Sequence, residues 1–381
     1  MPTNYLPEQY ERTSELLINH NYLAEQFADY EDIFAKIRQV VLKGDFTLGR
    51  AVDDFERQFA SISGTEHAIS VNSGTDALRL SLIGLGVRAG HEVITTPFTF
   101  YATIGAIVTV GARPVFVDIQ DDYNIDPAYI EAAITSRTKA ILPVHWSGKP
   151  CRMDEIKAIA EKKGLAIVED ACHAIKATLD DQPAGSFGEA GCFSMHPLKN
   201  LNVWGDGGVI VTNSRILAND LRLLRNHGLI NRDECAIFAF NSRLDTIQAV
   251  VASHLLQKID QITDARIANA EYFDRGLGAI PQVRVPPRDS RVKQVFHIYS
   301  IECERRDELQ RFLITKGVDA KVHYPTPMHL QPAARDYGHK VGDFPRAEAL
   351  CKSVLSIPVH EYVSNGQREQ VVDLIKDFYS K

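Results

Sequence analysis

From about residue 65, short β-branched runs alternate with helical segments, and this alternation restricts the available folds more than any other feature of the sequence. "HAISV" is followed by "SGTDALRLSLIGLG", "EVITTP" by "FYATIGAIVTVG", "PVFVDI" by "PAYIEAAI" and "KAILPVH" by "RMDEIKAIAEKKG", before "AIVEDA" closes the series. Strands that are apolar at nearly every position cannot leave one face in water. They predict a mostly parallel sheet covered by helices on both sides, an α/β fold. "GCFSM" and "GGVIVTN" lie close together and are expected as an adjacent pair of strands.

Beyond about residue 245 a long helical pattern, "TIQAVVASHLLQKIDQITDARIANAEYFDRGL", leads towards a second, smaller unit. That unit carries "FHIYSIEC", "ELQRFLITKG" and "QVVDLIKDFY", an α+β pattern, with "PQVRVPPRDSR" reading as an exposed proline-rich loop. The expected organisation is an N-terminal arm over 1–34, a large domain over 35–265 and a small C-terminal domain over 266–381. The helix in "YEDIFAKIRQVVLKG" suits either domain.

A chain of 381 residues, 45% hydrophobic and 24% charged, can bury a substantial core without disulfides or metals. The net charge of −7 argues against nucleic acid as the main partner. The six cysteines form no C-x-x-C pair, which fits reduced thiols in a cytoplasmic protein. "MPTNYLPEQYERTSELL" is polar and acidic, unlike a secretory signal, and no apolar run is long enough to span a bilayer. The thirteen histidines show no H-x-x-x-H pair, so no metal site is expected.

Three stretches carry candidate chemistry. In "SVNSGTDALRLSL" (70–82), a strand runs into a helix opened by Ser73, Gly74 and Thr75. Unsatisfied N–H groups and the helix dipole make such a start a phosphate site, although a plain capped helix looks the same. In "AIVEDACHA" (166–174), an apolar strand delivers Glu169 and Asp170 at its C-terminal end, the edge where open α/β sheets bind ligands. A carboxylate there suits a protonated ring nitrogen, or equally a helix cap or salt bridge. In "CFSMHPLKNLNVWGDGGVI" (192–210), Lys199 follows Ser194 by five residues and precedes the glycines 205, 207 and 208. A desolvated lysine forms Schiff bases, whereas most lone lysines are solvated surface charges. Together the three supply what pyridoxal 5'-phosphate (PLP) requires: a lysine for its aldehyde, an acid for its ring nitrogen and a cradle for its phosphate.

With those stretches, the chain resembles the DegT/DnrJ/StrS-type sugar aminotransferases, from "GDFTLGRAVDDFE" nearly to the C-terminus. The matching motifs include "NSGTDAL", "PFTFYAT", "PVFVDI", "EDACHA", "FSMHPLKN", "GDGG", "FNSRLDTIQA", "HIYSI" and "VHYPTPMHLQP". The resemblance implies the aspartate aminotransferase-like fold, with a seven-stranded large-domain sheet. It implies that Lys199 bonds the cofactor aldehyde, Asp170 holds the pyridine nitrogen and His173 lies near the phenolic oxygen. Gly74, Thr75 and Ser194 would hold the phosphate, and Phe100 would stack on the ring. Asn241 would reach the phosphate of a neighbouring subunit, which requires a homodimer. Arg243 would bind a carboxylate or order its own loop, and His323, Tyr324 and His329 would line the sugar site.

The implied reaction moves an amino group from L-glutamate (or glutamine) to a keto or aldehyde sugar, with pyridoxamine phosphate as the intermediate form of the cofactor. Two alternatives share the fold: a sugar 3-dehydratase, which places histidine where Lys199 stands, and a non-catalytic sugar- or PLP-binding regulatory protein. His173 departs from the glutamine common at its position, and Trp146 and Ser147 replace a smaller or differently polar pair. Cys172 and Met195 are further departures, expected to affect packing only.

Overall fold

The structure, a computed structural model, describes residues 16–380. Seven strands form the principal sheet: β1 (His67–Val71), β2 (Glu92–Thr95), β3 (Arg113–Phe116), β4 (Thr138–Ile141), β5 (Ala166–Asp170), β6 (Ala190–Ser194) and β7 (Gly208–Thr212). Their spatial order is β1-β7-β6-β5-β4-β2-β3, and β7 alone runs antiparallel to its neighbours. The sheet is therefore mostly parallel, and "GCFSM" and "GGVIVTN" are indeed neighbouring strands, paired antiparallel from Gly191↔Val211 to Ser194↔Gly208.

The continuous apolar strands are explained by cores on both faces. Successive strand residues point to opposite sides. Val93, Ala140, Val168, Cys192 and Ile210 join one core with the helices Gly74–Gly84, Tyr101–Thr109 and Arg215–Leu224. On the other face, Ile94, Ile141 and Ile167 pack with the helix Met153–Lys163. Phe193, Val209 and Val211 pack with the helices Arg50–Ser63 and Thr246–Leu256. The helix Tyr30–Lys43, whose placement the sequence left open, lies on this large-sheet side, with Ile33 and Val40 in the same core.

The long helical pattern after residue 245 is two helices, Thr246–Leu256 and Ile259–Leu277, separated by a turn at Gln257 and Lys258. The break lets the second helix change cores along its length. Ile259 and Ile262 belong to the large-sheet core, while Ala270, Phe273 and Leu277 belong to a second core. That second core covers a three-stranded antiparallel sheet of Val283–Arg284, Tyr299–Cys303 and Val354–Ile357. The expected boundary between 265 and 266 thus falls inside one helix. Of the arm expected over 1–34, residues 1–15 lie outside the described residues. Ile18 packs in the second core and Phe27 in the first.

Candidate active site

At the C-terminal ends of β5 and β6 the chain encloses a cavity of about 470 Å³, reaching to the second sheet. The strand period decides which group of the Glu169–Asp170 pair reaches it. Glu169 shares a face with Ile167 and turns away, fully buried. It accepts hydrogen bonds from the backbone N–H groups of Gly185 (2.7 Å), Phe187 (2.7 Å) and Gly188 (2.8 Å), and lies 2.8 Å from His145 Nε2. It locks a loop to the strand. Asp170 shares a face with Val168 and lines the cavity, where Thr103 Oγ1 donates to Oδ2 at 2.8 Å and the Cys172 N–H donates to Oδ1 at 3.3 Å.

The cradle is built by close approach. Ser73 caps the helix Gly74–Gly84, its Oγ accepting from the Asp76 N–H at 3.1 Å, and Gly74 and Thr75 line the cavity beside Ser194. A Cβ on Gly74 would stand 2.7 Å from Ser194 Cβ and 3.1 Å from Cys172 Sγ, so only glycine lets the helix start meet the end of β6. The first N–H groups of a helix have no partner within it, which suits them to an anion.

Lys199 projects into the same cavity and is partly buried. Desolvation lowers its pKa, opposed by Cys172 and Asp170, so the neutral amine is more accessible than in a surface lysine. Its Nζ lies 3.4 Å from His297 Nε2. His173 is held well below the usual histidine range, first by burial and then by Lys199 and His323. The Ser147 N–H donates to His173 Nδ1 at 3.3 Å, so the neutral ring carries its proton on Nε2. Trp146 stands behind this wall, its ring centroid 5.6 Å from that of His173 and 5.0 Å from that of Tyr324.

Nine of the twelve residues expected at the site line one cavity: Gly74, Thr75, Phe100, Asp170, His173, Ser194, Lys199, His323 and Tyr324. Phe100 is exposed at its edge, 6.2 Å from the Tyr324 ring. His323 has its Nδ1 2.8 Å from Ser356 Oγ, and its pKa is pushed down to about 3 by burial, then by His20, Lys321 and Lys199.

Three expected residues lie elsewhere. His329 is buried with its Nε2 3.1 Å from Glu348 Oε1, packed against Phe344, and is not among the cavity residues. Its ring already has a partner that holds a loop, because Glu348 also accepts from the Gly342 and Phe344 N–H groups. Asn241 is exposed and outside the cavity of its own chain. Arg243 is also outside it and donates to Asn226 Oδ1 at 2.9 Å. Between them Ser242 is buried and donates to Asp76 Oδ2 at 2.7 Å, fixing this loop to the helix that starts with Gly74.

Sequence reasoning did not single out His297, Thr103, Tyr22 or Arg266, all of which line the cavity. His297 stood in view in "HIYSI", but its contact with Lys199 spans 98 positions and leaves no local signal.

The residues present fit PLP: a cradle a Cβ would fill, a buried carboxylate, a desolvated lysine and a buried His297 Nδ1 with no hydrogen-bond partner among the described residues. Among the described residues no cluster fits a metal ion, and no helix is long and apolar enough to cross a membrane.

Comparisons with known proteins agree. The chain is 41% identical over 362 residues to the "Pleiotropic regulatory protein" of Geobacillus stearothermophilus, covering 94% of this chain and 97% of that protein. It is 38% identical to the dTDP-3-amino-3,4,6-trideoxy-alpha-D-glucose transaminase of Streptomyces venezuelae, covering 92% and 94%. The structure is similar to that of S. venezuelae DesV in complex with a ketimine intermediate, with a TM-score of 0.93 and 37% identity over 96% of this chain and 99% of that one. The fold is accordingly that of the PLP-dependent aminotransferases. Residues 28–376 match the family model as well, and the chain belongs to the DegT/DnrJ/EryC1/StrS aminotransferase family.

Proposed function

We propose that the protein is a PLP-dependent transaminase that moves an amino group from L-glutamate to the carbonyl of a nucleotide-linked keto sugar in amino-sugar or polysaccharide biosynthesis. The observation that carries this reading is the convergence of Lys199, Asp170 and the Gly74–Ser194 cradle on one cavity. The Streptomyces venezuelae relative is named for a dTDP-sugar, which supports a nucleotide-linked acceptor.

When bound, the cofactor would supply an aldehyde for amines and an electron sink for the carbon being deprotonated. Lys199 would hold the aldehyde, Asp170 would keep the ring nitrogen protonated, and Ser194 with the Gly74 and Thr75 N–H groups would anchor the phosphate. Phe100 would cover the ring, and His173, neutral and braced by Ser147, would face the phenolic oxygen. The Lys199 amine, kept available by desolvation, would take the proton from the α-carbon of the donor and return one to the sugar carbon that receives nitrogen. His323 and Tyr324 would contact the sugar. Purified protein given glutamate and a panel of nucleotide keto sugars should form 2-oxoglutarate. Lys199→Ala should form none and lose the visible absorbance of the bound cofactor. A retained band would sink the assignment of Lys199.

We infer a homodimer with shared sites. Asn241 is exposed, and the same stretch leaves Ile230, Ile237 and Phe238 bare, as expected of a surface that covers a second copy. Asn241 would then reach the partner's cradle, with Arg243 ordering the loop through Asn226. Mixed subunits of Lys199→Ala and Asn241→Ala, each inactive alone, should regain activity, because one of the two sites would be intact. No recovery on mixing would argue against sharing.

The regulatory name of the Geobacillus stearothermophilus relative supports a second reading, a sugar-responsive regulator. Glutamate turnover separates the two, since a pure sensor has none. Six free thiols support a cytoplasmic location.

A further inference from the structure

The two residues that meet at the cavity's reactive nitrogen each follow a backbone twist seldom adopted by bulky side chains. Leu198, before Lys199, has a φ of +73°, and Phe296, before His297, has a φ of +46°. Such conformations cost energy and persist only where the surroundings hold them. Both carbonyls are held by one buried pair. Tyr22 Oη donates to Leu198 O at 3.3 Å. Arg266 Nη1 donates to Phe296 O at 3.2 Å and to His297 O at 3.4 Å. Arg266 Nη2 donates in turn to Tyr22 Oη, so one guanidinium spans both loops.

Arg266 is 1% exposed and Tyr22 3%. The buried cation is matched by Glu361, with Nε 3.2 Å from Oε2. Gln26 Nε2 donates to Glu361 Oε1 at 3.0 Å, and Asn202 Nδ2 donates both to Gln26 Oε1 at 2.7 Å and to Lys199 O at 2.9 Å. The circuit closes on the lysine. The segment bearing Tyr22 is fastened elsewhere too. The Ile18 N–H donates to Gly317 O at 3.0 Å, the His20 N–H to Asp319 Oδ2 at 3.0 Å, and Tyr22 stacks on His360 with ring centroids 4.4 Å apart. Stability alone is a weak reason to bury such a network, because an apolar replacement often does as well.

We propose that Tyr22 and Arg266 are positioning residues that hold Lys199 Nζ and His297 Nε2 at their 3.4 Å contact by fixing the left-handed turns beneath both. The N-terminal segment thereby becomes part of the site, because its docking is what delivers the hydroxyl to the lysine loop. This inference rests on the proposed role of Lys199.

The test is Tyr22→Phe, which removes one oxygen and keeps the stacked ring. Pyridoxal phosphate added to the cofactor-free variant should join Lys199, read by visible absorbance, about tenfold more slowly than in wild type, and kcat should fall by about the same factor. The KM of donor and acceptor should stay within about twofold, because ground-state binding is untouched. Arg266→Lys keeps a charge for Glu361 but cannot fork across the same acceptors, and should show the same split with a larger loss. Tyr22→Phe with wild-type adduct rate and kcat would overturn the proposal, as would a loss confined to KM or to melting temperature. A wild-type protein that forms no adduct at Lys199 would overturn the functional reading beneath it, a result that needs no variant to recognise.

Discussion

The cavity wall and the polar locks behind it use the same residue types for opposite ends. Asp170 and Glu169 are consecutive, yet one faces the cavity and the other grips three backbone N–H groups and His145. His323 and His329 lie on one short segment, yet the first opens on the cavity and the second is buried against Glu348. Glu169 and His329 bond to groups that hold loops in place, whereas Asp170 and His323 line the space a ligand would fill. Residue type and nearness in sequence do not separate the two, whereas the face of the strand and the partner do.

The largest contrast is expected between Lys199 and its surroundings. Lys199→Ala should lower turnover about a thousandfold or more while leaving urea denaturation unchanged, since it removes a cavity group and no lock. The carboxylate pair sharpens this. Glu169→Gln should cost about 3–5 kcal/mol of stability in urea titrations, because a neutral amide faces donors arranged for a carboxylate. Asp170→Asn should stay within about 1 kcal/mol of wild type but retain the cofactor poorly on dialysis. If the two substitutions exchanged these phenotypes, the division between wall and lock would be broken.

The histidine pair should differ in the same way on a smaller scale. His329→Asn should lower stability by about 1–3 kcal/mol with normal KM values, by stripping a partner from Glu348. His323→Asn should chiefly raise the KM of the sugar acceptor.

Acid gives the subtlest contrast. Burial holds His173 and His297 well below the ordinary histidine range and His323 at about 3. The unfolded chain therefore binds more protons than the folded one between about pH 3 and pH 6.5. Stability should be full above that window and fall as pH drops through it. His323→Asn should flatten the slope by up to about one proton, whereas an unchanged slope would mean that this ring does not titrate with unfolding.

Much of the architecture was legible. Near-continuous apolar strands implied both helical covers, and "SGT", "ED" and "HPLKN" lie at the C-terminal ends of three different strands, as the fold needs. The break in the long helical pattern after residue 245 was not, because a two-residue turn at Gln257 and Lys258 leaves the apolar pattern intact. His329 is expected beside His323 because the resemblance puts their segment at the sugar site, and a loop has no period from which to read orientation. Tyr22 and Arg266 were missed because their roles exist only between segments 244 positions apart.

The sequence by itself determined the sheet and its two covers, which follow from local period, and its motifs taken together with the family resemblance pointed to the lysine, the acid and the glycine cradle. Tertiary structure alone decided that His323 and not His329 faces the cavity, that His297 meets Lys199, and that one buried guanidinium spans both of their loops. Those outcomes depend on packing between distant segments, where desolvation and the need to pair every buried charge select partners that no local pattern encodes.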